Sequence, residues 1–467
     1  MKKFDLNIEK VLEHWSIPHA LREVISNALD EHILTNTADP IIFKDTEGNW
    51  RIKDFGRGLN YEHFTQNENV EKINNPDKVI GKFGVGLKDA LATFYRNNVD
   101  VFIKSKYSDI RIDKLPKDGF DDISTLHAIV NSPSNPNMIG TEFIFKNIND
   151  NHIKEAKDYF LLYSQEKIIE KNKYGQLIEN SKEHSRIYVN GICVAKENNL
   201  LFSYNITSTT KKLRQSLNRE RTNVGRSAYA DRLKSILLNC TSNVFAKKLV
   251  NDLQKIQTGL SHDELQWIDV QLHACKIPNS QEKVLFLTSN DLMNSDKYLS
   301  YAKEDDMLIV TVPDSLANKL ADNKDLAGDN FRNLDCYIVE WNKNFKFEFV
   351  DIESLTNKEK KIFQTKNQIL NWFPKNINVF NDILISNTMR PDMFTHGDTL
   401  GVWIPSSKQI IIRRDQLKNM ESFTGTLIHE LIHAYTNTDD KTIEFEIELT
   451  NIIGQLAALI LETQKHN

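Results

Sequence analysis

The stretch IPHALREVISNALDEH, residues 17–32, decides how the first part of this chain folds. Pro18 suits the first turn of a helix, and apolar residues then recur at helical spacing: Leu21, Val24, Ile25 and Leu29. The opposite side carries Glu23, Asn27 and Asp30, which are four and three positions apart and therefore project together. Taken alone, this pattern favours the solvated face of an amphipathic helix.

Glycine-containing turns follow this helix along the chain. Residues 40–59, PIIFKDTEGNWRIKDFGRGL, predict a β-hairpin whose second strand leads into Asp54 and its neighbouring glycines. Residues 81–91, GKFGVGLKDAL, place glycines at the start of another helix, and Gly140-Thr141 begins a later strand. Glycines that open a helix expose N–H groups to which phosphates bind, and Lys88 adds a positive charge there.

This order of motifs resembles the GHKL ATPases, the group of gyrase, the HtpG-type chaperone, sensor histidine kinases and MutL. The resemblance implies a Bergerat-type α/β sandwich that binds ATP and Mg²⁺, and no GxxxxGK[ST] P-loop motif occurs. Residues 60–80, a polar stretch, are expected to form a lid over the nucleotide.

The resemblance also implies residue roles. Glu23 is expected to polarise the attacking water, Asn27 to bind Mg²⁺, and Asp30 to belong to the same nucleotide site. Asp54 is expected to accept a hydrogen bond from the adenine amino group, with Thr141 in support. The remaining positions are expected beside the base and the phosphates: Gly56, Gly58, Gly81, Gly84, Gly86 and Lys88.

A second unit is expected after a lysine- and glutamate-rich segment, residues 153–173, which predicts a helical connector. Paired strands then surround an Asn190-Gly191 turn. The basic loop that follows resembles the loop by which chaperone and MutL second domains contact the γ-phosphate. Arg219 and Arg221 are both candidates for that contact.

The motif His429-Glu430-Leu431-Ile432-His433 places two imidazoles one helical turn apart with a carboxylate between them. The apolar residues of this helix form a separate arc: Leu427, Ile428, Leu431, Ile432 and Tyr435. A strand predicted at residues 409–413 matches the edge strand that zinc peptidases place beside the cleft. The pattern predicts a Zn²⁺ site in which Glu430 is the general base.

A catalytic zinc usually has three protein ligands. Glu446 is predicted as the third, because a carboxylate at the apolar border of the next helix is costly unless it is paired or metal-bound. Glu444 is the reserve. Asp439 occupies the last ligand position of the HExxHxxGxxH pattern, although Thr436 replaces its glycine. The arrangement resembles gluzincin-type peptidases.

The sequence thus predicts an α/β multidomain protein of four units. They are the GHKL ATP-binding domain (1–150), a transducer-like α/β domain (151–262), a small α/β spacer (263–345) and a zincin-like α+β domain (346–467). The net charge of −5 argues against a protein built to coat nucleic acid, and no apolar stretch reaches membrane-spanning length. With four scattered cysteines, a cytoplasmic location is expected.

These expectations combine into an ATPase switch that controls a metallopeptidase and acts on an unidentified protein substrate. A nucleotide-dependent homodimer and a role in bacterial stress response or antiphage defence are expected. Two alternatives stay open: a chaperone-like or remodelling ATPase whose C-terminal domain binds metal without cutting, and a nucleic-acid-associated ATPase of the MutL or MORC type.

Overall fold

The fold is that of a computed structural model. It describes residues 2–6, 12–65, 70–75, 77–81, 86–117, 119–217, 224–294, 296–373, 382–391, 399–438, 440 and 442–464. The chain divides into two compact units, one of Met1–Ser280 with Asp325–Ala327 and one of Gln281–Lys324 with Gly328–Asn467. Both units combine helices with sheets, so the α/β multidomain prediction is confirmed. The four finer domains stay a prediction.

The first unit begins with a seven-stranded antiparallel sheet. Its strands are β1 (Lys2–Asp5), β2 (Ile41–Lys44), β3 (Trp50–Lys53), β4 (Asp100–Ser105), β5 (Asp109–Lys117), β6 (Phe120–Asn131) and β7 (Thr141–Lys146). They lie in the order β1-β6-β5-β4-β7-β3-β2. The accompanying helices are α1 (Ile17–Thr35), α2 (Val70–Asn74), α3 (Gly86–Arg96) and α4 (Asp150–Asp158). Helix α1 packs against α3 and α4 and contacts β3.

Local sequence signals account for the start of this sheet. Helix α1 has proline in its first turn, and its predicted apolar stripe is buried. The predicted hairpin is formed by β2 and β3, whose register pairs Ile42 with Ile52. Helix α3 begins at Gly86, as the glycine motif predicts.

A five-stranded sheet follows in the same unit. Its strands are β8 (Ile168–Asn172), β9 (Gly175–Glu179), β10 (Ser185–Val189), β11 (Ile192–Glu197) and β12 (Phe202–Ile206), in the order β11-β10-β12-β9-β8. The helices after it are α5 (Lys211–Ser216), α6 (Ala230–Leu237), α7 (Asn243–Leu253) and α8 (Ile268–Gln281). The predicted Asn190-Gly191 turn joins β10 and β11, with both residues at positive φ.

The helical prediction for residues 153–173 is wrong beyond Asp158. Ile168–Asn172 forms β8 instead, at one edge of the five-stranded sheet. An edge strand tolerates lysine and glutamate on both faces, so its composition resembles that of a solvent-exposed helix.

The second unit contains two small sheets. Strands β13 (Val284–Leu287) and β14 (Leu308–Thr311) are parallel, whereas β15 (Asp382–Ser386), β16 (Gly401–Ile404) and β17 (Gln409–Arg413) have the order β15-β17-β16. The helices are α9 (Ser289–Asn294), α10 (Asp296–Glu304), α11 (Asp314–Ala321), α12 (Leu334–Asn344), α13 (Asn357–Gln364), α14 (Lys366–Leu370), α15 (Met420–Thr436) and α16 (Ile443–Gln464). No described helix is both long and apolar enough to traverse a lipid bilayer.

The strand predicted at residues 409–413 exists, but it is not the edge strand. Strand β17 lies in the middle of its sheet, parallel to β15 and antiparallel to β16. Its apolar residues Ile410 and Ile412 belong to the core of this unit, which explains the central position. Within the described part of the chain, β16 and β15 are the two outer strands of this sheet.

Gly140 occupies a position that admits only glycine. Its φ is +76°, and a Cβ there would lie 2.0 Å from the carbonyl oxygen of Asp54. Gly48, in the β2–β3 turn, has a similar φ of +83° but no atom within 4 Å of a built Cβ. Substitution of Gly48 therefore tests the effect of positive φ alone, whereas substitution of Gly140 tests positive φ together with a steric clash.

We expect Gly140→Ala to lower the free energy of unfolding by about 3 kcal/mol, the sum of roughly 1–2 for a positive φ and 1–3 for overpacking. Gly48→Ala should lose only the first part, about 1 kcal/mol. Urea unfolding of both variants measures the difference. Equal losses would contradict the close approach at Gly140.

Candidate functional site

The polar residues of α1 are buried rather than solvated. Glu23 is 4% exposed and Asp30 is 0% exposed, while Asn27 is half-buried. Burial of ionisable groups is unfavourable unless other groups bond to them. The solvated-face interpretation of this helix is therefore wrong, and the partners of these side chains define a site.

Asp30 binds the segment that precedes the glycines of α3. Its carboxylate accepts hydrogen bonds from the N–H groups of Ile80 and Gly81. The ammonium of Lys72, on α2, lies 2.7 Å from the same carboxylate and 3.1 Å from Oδ1 of Asn27. A cation therefore already lies beside the predicted Mg²⁺ ligand. Sequence reasoning missed Lys72, because nothing distinguishes it among the lysines of residues 60–80.

A second ion-pair group holds α2 and the Gly56-Arg57-Gly58 turn. Arg57 donates to both carboxylate oxygens of Glu31 at 2.9 Å and to Glu71 of α2 at 2.9 Å. Burial acts to raise the pKa of Glu31, but the hydrogen bonds and charge of Arg57 outweigh it and hold that pKa below its ordinary value. A Cβ on Gly56 would lie 2.2 Å from Cγ of Glu31, so glycine is required.

Asp54 and Thr141, the two residues expected to contact adenine, lie beside each other. The Asp54 carboxylate accepts from the N–H of Gly56 at 2.9 Å and from the N–H of Thr141 at 3.2 Å. Burial raises the pKa of Asp54, and these two hydrogen bonds oppose the shift. Gly58 lies nearby at a φ of +91°.

Glu23 lies beside the first residue of α3. A Cβ on Gly86 would be 2.6 Å from Oε2 of Glu23, so the carboxylate borders the helix start. Arg22 donates to Oε1 at 2.9 Å, and its guanidinium lies over the rings of Trp15 and Tyr159, 5.2 Å and 5.3 Å from their centroids. Arg22 was also missed, although a charged neighbour of Glu23 on a buried helix was an available signal.

The described residues thus bring Glu23, Asn27, Asp30, Gly81 and Gly86 together. Lys88 lies in the first turn of α3 and is half-buried. Gly84, Arg219 and Arg221 lie outside the described residues. The arrangement offers N–H groups at a helix start, buried carboxylates and the long side chain of Lys72. Such groups can bind a phosphate ester and its cation.

The metal-site motif lies in α15, and its two histidines face a third group. His429 and His433 approach each other to 3.2 Å between their Nε2 atoms. Oδ1 of Asp440 is 3.2 Å from Nε2 of His429 and 3.3 Å from Nε2 of His433. Among the described residues, these three form the cluster able to hold a metal ion.

The dimensions of this triangle fit Zn²⁺. Ligand atoms of a tetrahedral site with bonds of about 2.1 Å lie roughly 3.4 Å apart, close to the spacings seen here. Two imidazoles and one carboxylate are also a donor set of catalytic zinc sites. Nδ1 of His433 lies 2.7 Å from the carbonyl oxygen of Thr438, a hydrogen bond that leaves the lone pair of Nε2 for a metal.

The chain after α15 brings Asp440 back to the histidines. Asn437 ends the helix in the left-handed conformation, with φ of 53°, and donates to the carbonyl of His433 at 2.8 Å. Phe445 then packs on both imidazoles, with ring centroids 4.5 Å from His433 and 4.9 Å from His429. The turn and this ring together hold the ligand loop against α15.

Asp440 replaces Glu446 as the candidate third ligand. Phe445 is the residue of the first turn of α16 that faces the histidines, and its neighbours Glu444 and Glu446 are exposed. Neither glutamate belongs to the cluster found among the described residues. Asp439 lies outside them. The turn at Asn437 brings Asp440 to the histidines.

Glu430 lies between the histidines and against the edge strand β16. It is 6% exposed, and burial raises its pKa to about 8, with a smaller contribution from the charge of Asp440 and an opposing hydrogen bond from the N–H of Trp403. A Cβ on Gly401 would lie 2.9 Å from Oε1 of Glu430. The predicted general base is therefore buried against β16.

Comparison with known proteins places the chain in a family. Residues 151–243, which contain the five-stranded sheet, match a family described as "Mycoplasma pneumoniae MPN635 N-terminal domain". A Mycoplasma pneumoniae protein described as uncharacterized is 38% identical over 242 residues, which are 51% of this chain and 97% of that protein. The chain belongs to the family of this mycoplasma protein.

A second Mycoplasma pneumoniae protein, also described as uncharacterized, is 25% identical over 338 residues. The match covers 66% of this chain and 92% of that protein. Neither description names an activity. The chemistry of this family member therefore has to be argued from its own residues.

We expect Asp440→Asn to lower zinc affinity by more than the roughly 10- to 100-fold that loss of an outer-shell partner costs, because it removes the charge of a direct ligand. Glu446→Gln, the matched control on α16, should keep the wild-type affinity. Competition with a chromogenic chelator measures both constants. Zinc loss in Glu446→Gln with retention in Asp440→Asn would restore the sequence prediction.

Proposed function

We propose that this protein is an ATP-controlled zinc metallopeptidase. A GHKL-type nucleotide site in the first unit governs peptide hydrolysis in the second unit. The observation that carries this proposal is the triangle of His429, His433 and Asp440, which has the dimensions of a tetrahedral zinc site and lies one residue from Glu430.

The metal-site residues have separate roles in this proposal. His429, His433 and Asp440 would hold Zn²⁺, which supplies Lewis-acid polarisation of water and of the scissile carbonyl. Thr438 fixes the tautomer of His433 through its carbonyl oxygen. Glu430 takes a proton from water and returns it to the leaving amine. The half-exposed His429 and Asp440 leave a side of the site open to substrate, as a catalytic zinc site requires.

Nucleotide chemistry is supported by the buried face of α1. Glu23 is positioned by Arg22 beside the start of α3, where it can orient a water for attack on a phosphate. Asn27 would hold Mg²⁺ after the ammonium of Lys72 moves away, because the two cations compete for the same oxygen. Asp54 provides a carboxylate for the adenine amino group.

Nucleotide control of a protease suits a protein that cuts only under defined conditions. Lys72 and Arg57 link α2 to the candidate nucleotide site, so nucleotide binding changes the contacts of the predicted lid. We propose that this change, transmitted through the predicted homodimer, regulates cleavage in a stress or defence response.

A remodelling ATPase without peptidase activity is the second candidate. It is favoured by the exposed apolar residues of α16, Ile443, Ile447 and Leu461, which are 72%, 55% and 61% exposed. Such residues offer a surface for client proteins. In this alternative the metal ion stabilises the α15–α16 connection, and ATP turnover alone supports function.

Peptidase activity is tested by profiling cleavage of a proteome-derived peptide library with ATP, with ADP and without nucleotide. We expect zinc-dependent cleavage that changes with nucleotide, and Glu430→Gln should lower kcat by about 100-fold or more because the general base is lost. Glu421→Gln, at the exposed start of the same helix, is the control. Cleavage that is equal in Glu430→Gln and wild type would refute the proposal.

ATP turnover is tested separately with Glu23→Gln. This variant should lose about 100-fold in kcat for ATP hydrolysis while retaining ATP binding, because the carboxylate orients water and is not needed to hold the nucleotide. Glu47→Gln, in the exposed β2–β3 turn, should behave as wild type. Full ATPase activity in Glu23→Gln, or absence of ATP binding in the wild type, counts against a GHKL-type site.

A further inference from the structure

Among the described residues, no strand pairs with the outer side of β16, and its ladder to β17 fixes the direction of its N–H groups. The N–H of Arg413 donates to the carbonyl of Leu400 at 2.9 Å, and the register continues with Trp403 opposite Ile410. Hydrogen-bonded and non-hydrogen-bonded pairs alternate in an antiparallel ladder. Gly401 and Trp403 therefore direct their N–H groups away from β17.

The outward N–H of Trp403 is the one that reaches Glu430. This N–H acts to lower the pKa of the buried Glu430 carboxyl, so it lies near enough to interact with that group. The strand itself is close to the carboxylate, because a Cβ on Gly401 would lie 2.9 Å from Oε1 of Glu430.

The absence of a side chain at Gly401 makes this contact possible. A Cβ there would lie 2.7 Å from Cγ2 of Thr426 and 2.8 Å from Cγ of Glu430. Both distances are far shorter than van der Waals contact. Any larger residue at this position would displace β16 from α15 and with it the N–H of Trp403.

We propose that β16 is the positioning element for the general base: the N–H of Trp403 orients the Glu430 carboxylate, and Gly401 lets the strand approach closely enough to do so. This inference rests on the proposed peptidase function. The residues act through Glu430 and do not themselves touch the reacting atoms. Loss of the contact should lower kcat and leave KM and zinc content unchanged.

Two substitutions of Trp403 isolate the N–H group. Trp403→Ala and Trp403→Pro both remove the indole, but only proline removes the donor. Proline is tolerated on an edge strand where the N–H points outward, so the ladder to β17 stays intact. Relative to Trp403→Ala, we expect Trp403→Pro to lose about 10- to 100-fold in kcat, the effect of one hydrogen bond to a charged group.

Zinc content, KM and melting temperature of the two Trp403 variants are measured on the full-length protein. Equal kcat values in Trp403→Ala and Trp403→Pro would overturn the inference. A loss of zinc or a raised KM in Trp403→Pro alone would also overturn it, because the strand would then serve folding or substrate binding. In the Glu430→Gln background, exchanging alanine for proline at position 403 should have no further effect.

A measurement without catalysis tests the contact itself. The chain has six tryptophans, so selective ¹⁵N-tryptophan labelling yields a small set of amide signals, in which Trp403→Phe identifies the signal of interest. An outward edge N–H exchanges with solvent quickly unless it is bonded. We expect Glu430→Ala to accelerate exchange of the Trp403 amide at least about tenfold.

If the Trp403 amide exchanges at the same rate in Glu430→Ala as in the wild type, the Trp403–Glu430 contact is refuted, whatever the kinetic constants are. If the wild type cleaves no peptide while the amide is protected by Glu430, the proposed function fails and the strand contact stands as a structural one. The two failures are therefore distinguishable.

Gly401→Ala provides an independent variant with a matched control. Gly425 lies in α15 next to Thr426, and a Cβ there meets no atom within 4 Å. We expect Gly401→Ala to lower kcat at least as much as Trp403→Pro, and Gly425→Ala to retain wild-type kcat. Wild-type kcat in Gly401→Ala would overturn the role assigned to this glycine.

Discussion

The burial of ionic side chains on α1 is the constraint on which the first unit depends. Glu23 and Asp30 lie on a helix whose apolar side is also buried, so both sides are covered along most of its first half. Buried charges require partners, and those partners come from different parts of the chain: Lys72 from α2, the N–H groups before α3, and Arg22 from α1 itself. Hydrogen bonds and ion pairs to the buried carboxylates, as well as apolar packing, therefore hold the site together.

Helix α15 differs from α1, because one of its sides packs in the apolar core and the other carries the two histidines. Leu427 and Leu431 join the apolar core of the second unit, while His429 and His433 face the loop of Asp440. Phe445 links the sides, since it belongs to the core and also packs on the imidazoles. The positions of the two imidazoles therefore depend on the packing of α16.

Features determined within one element were predictable from the sequence. Helix α1, the β2–β3 hairpin and the Asn190-Gly191 turn follow from spacing and from residues that favour positive φ. The strand at 409–413 was also found, but its central place was not, because strand order depends on β15 and β16, which are remote or weakly patterned.

Features that depend on a partner element escaped prediction. The edge strand Ile168–Asn172 reads as helix because its pairing with β9 has no local signature. Asp440 was missed as a candidate ligand because it reaches the histidines through the left-handed turn at Asn437, which the spacing of the motif does not reveal. Lys72 became visible only when Asn27 and Asp30 were placed around its ammonium.

A catalytic metal site differs from a structural one in two ways. One coordination position is open to water or substrate, and the general base is held in a fixed orientation. His429 is 42% and Asp440 49% exposed, so the ligand triangle is accessible from outside, whereas Glu430 is nearly enclosed. In the proposed peptidase the buried carboxylate would take a proton from water, which gives its burial a use. The close approach of β16 at Gly401 would restrain this base, while the exposed side of the triangle would admit substrate.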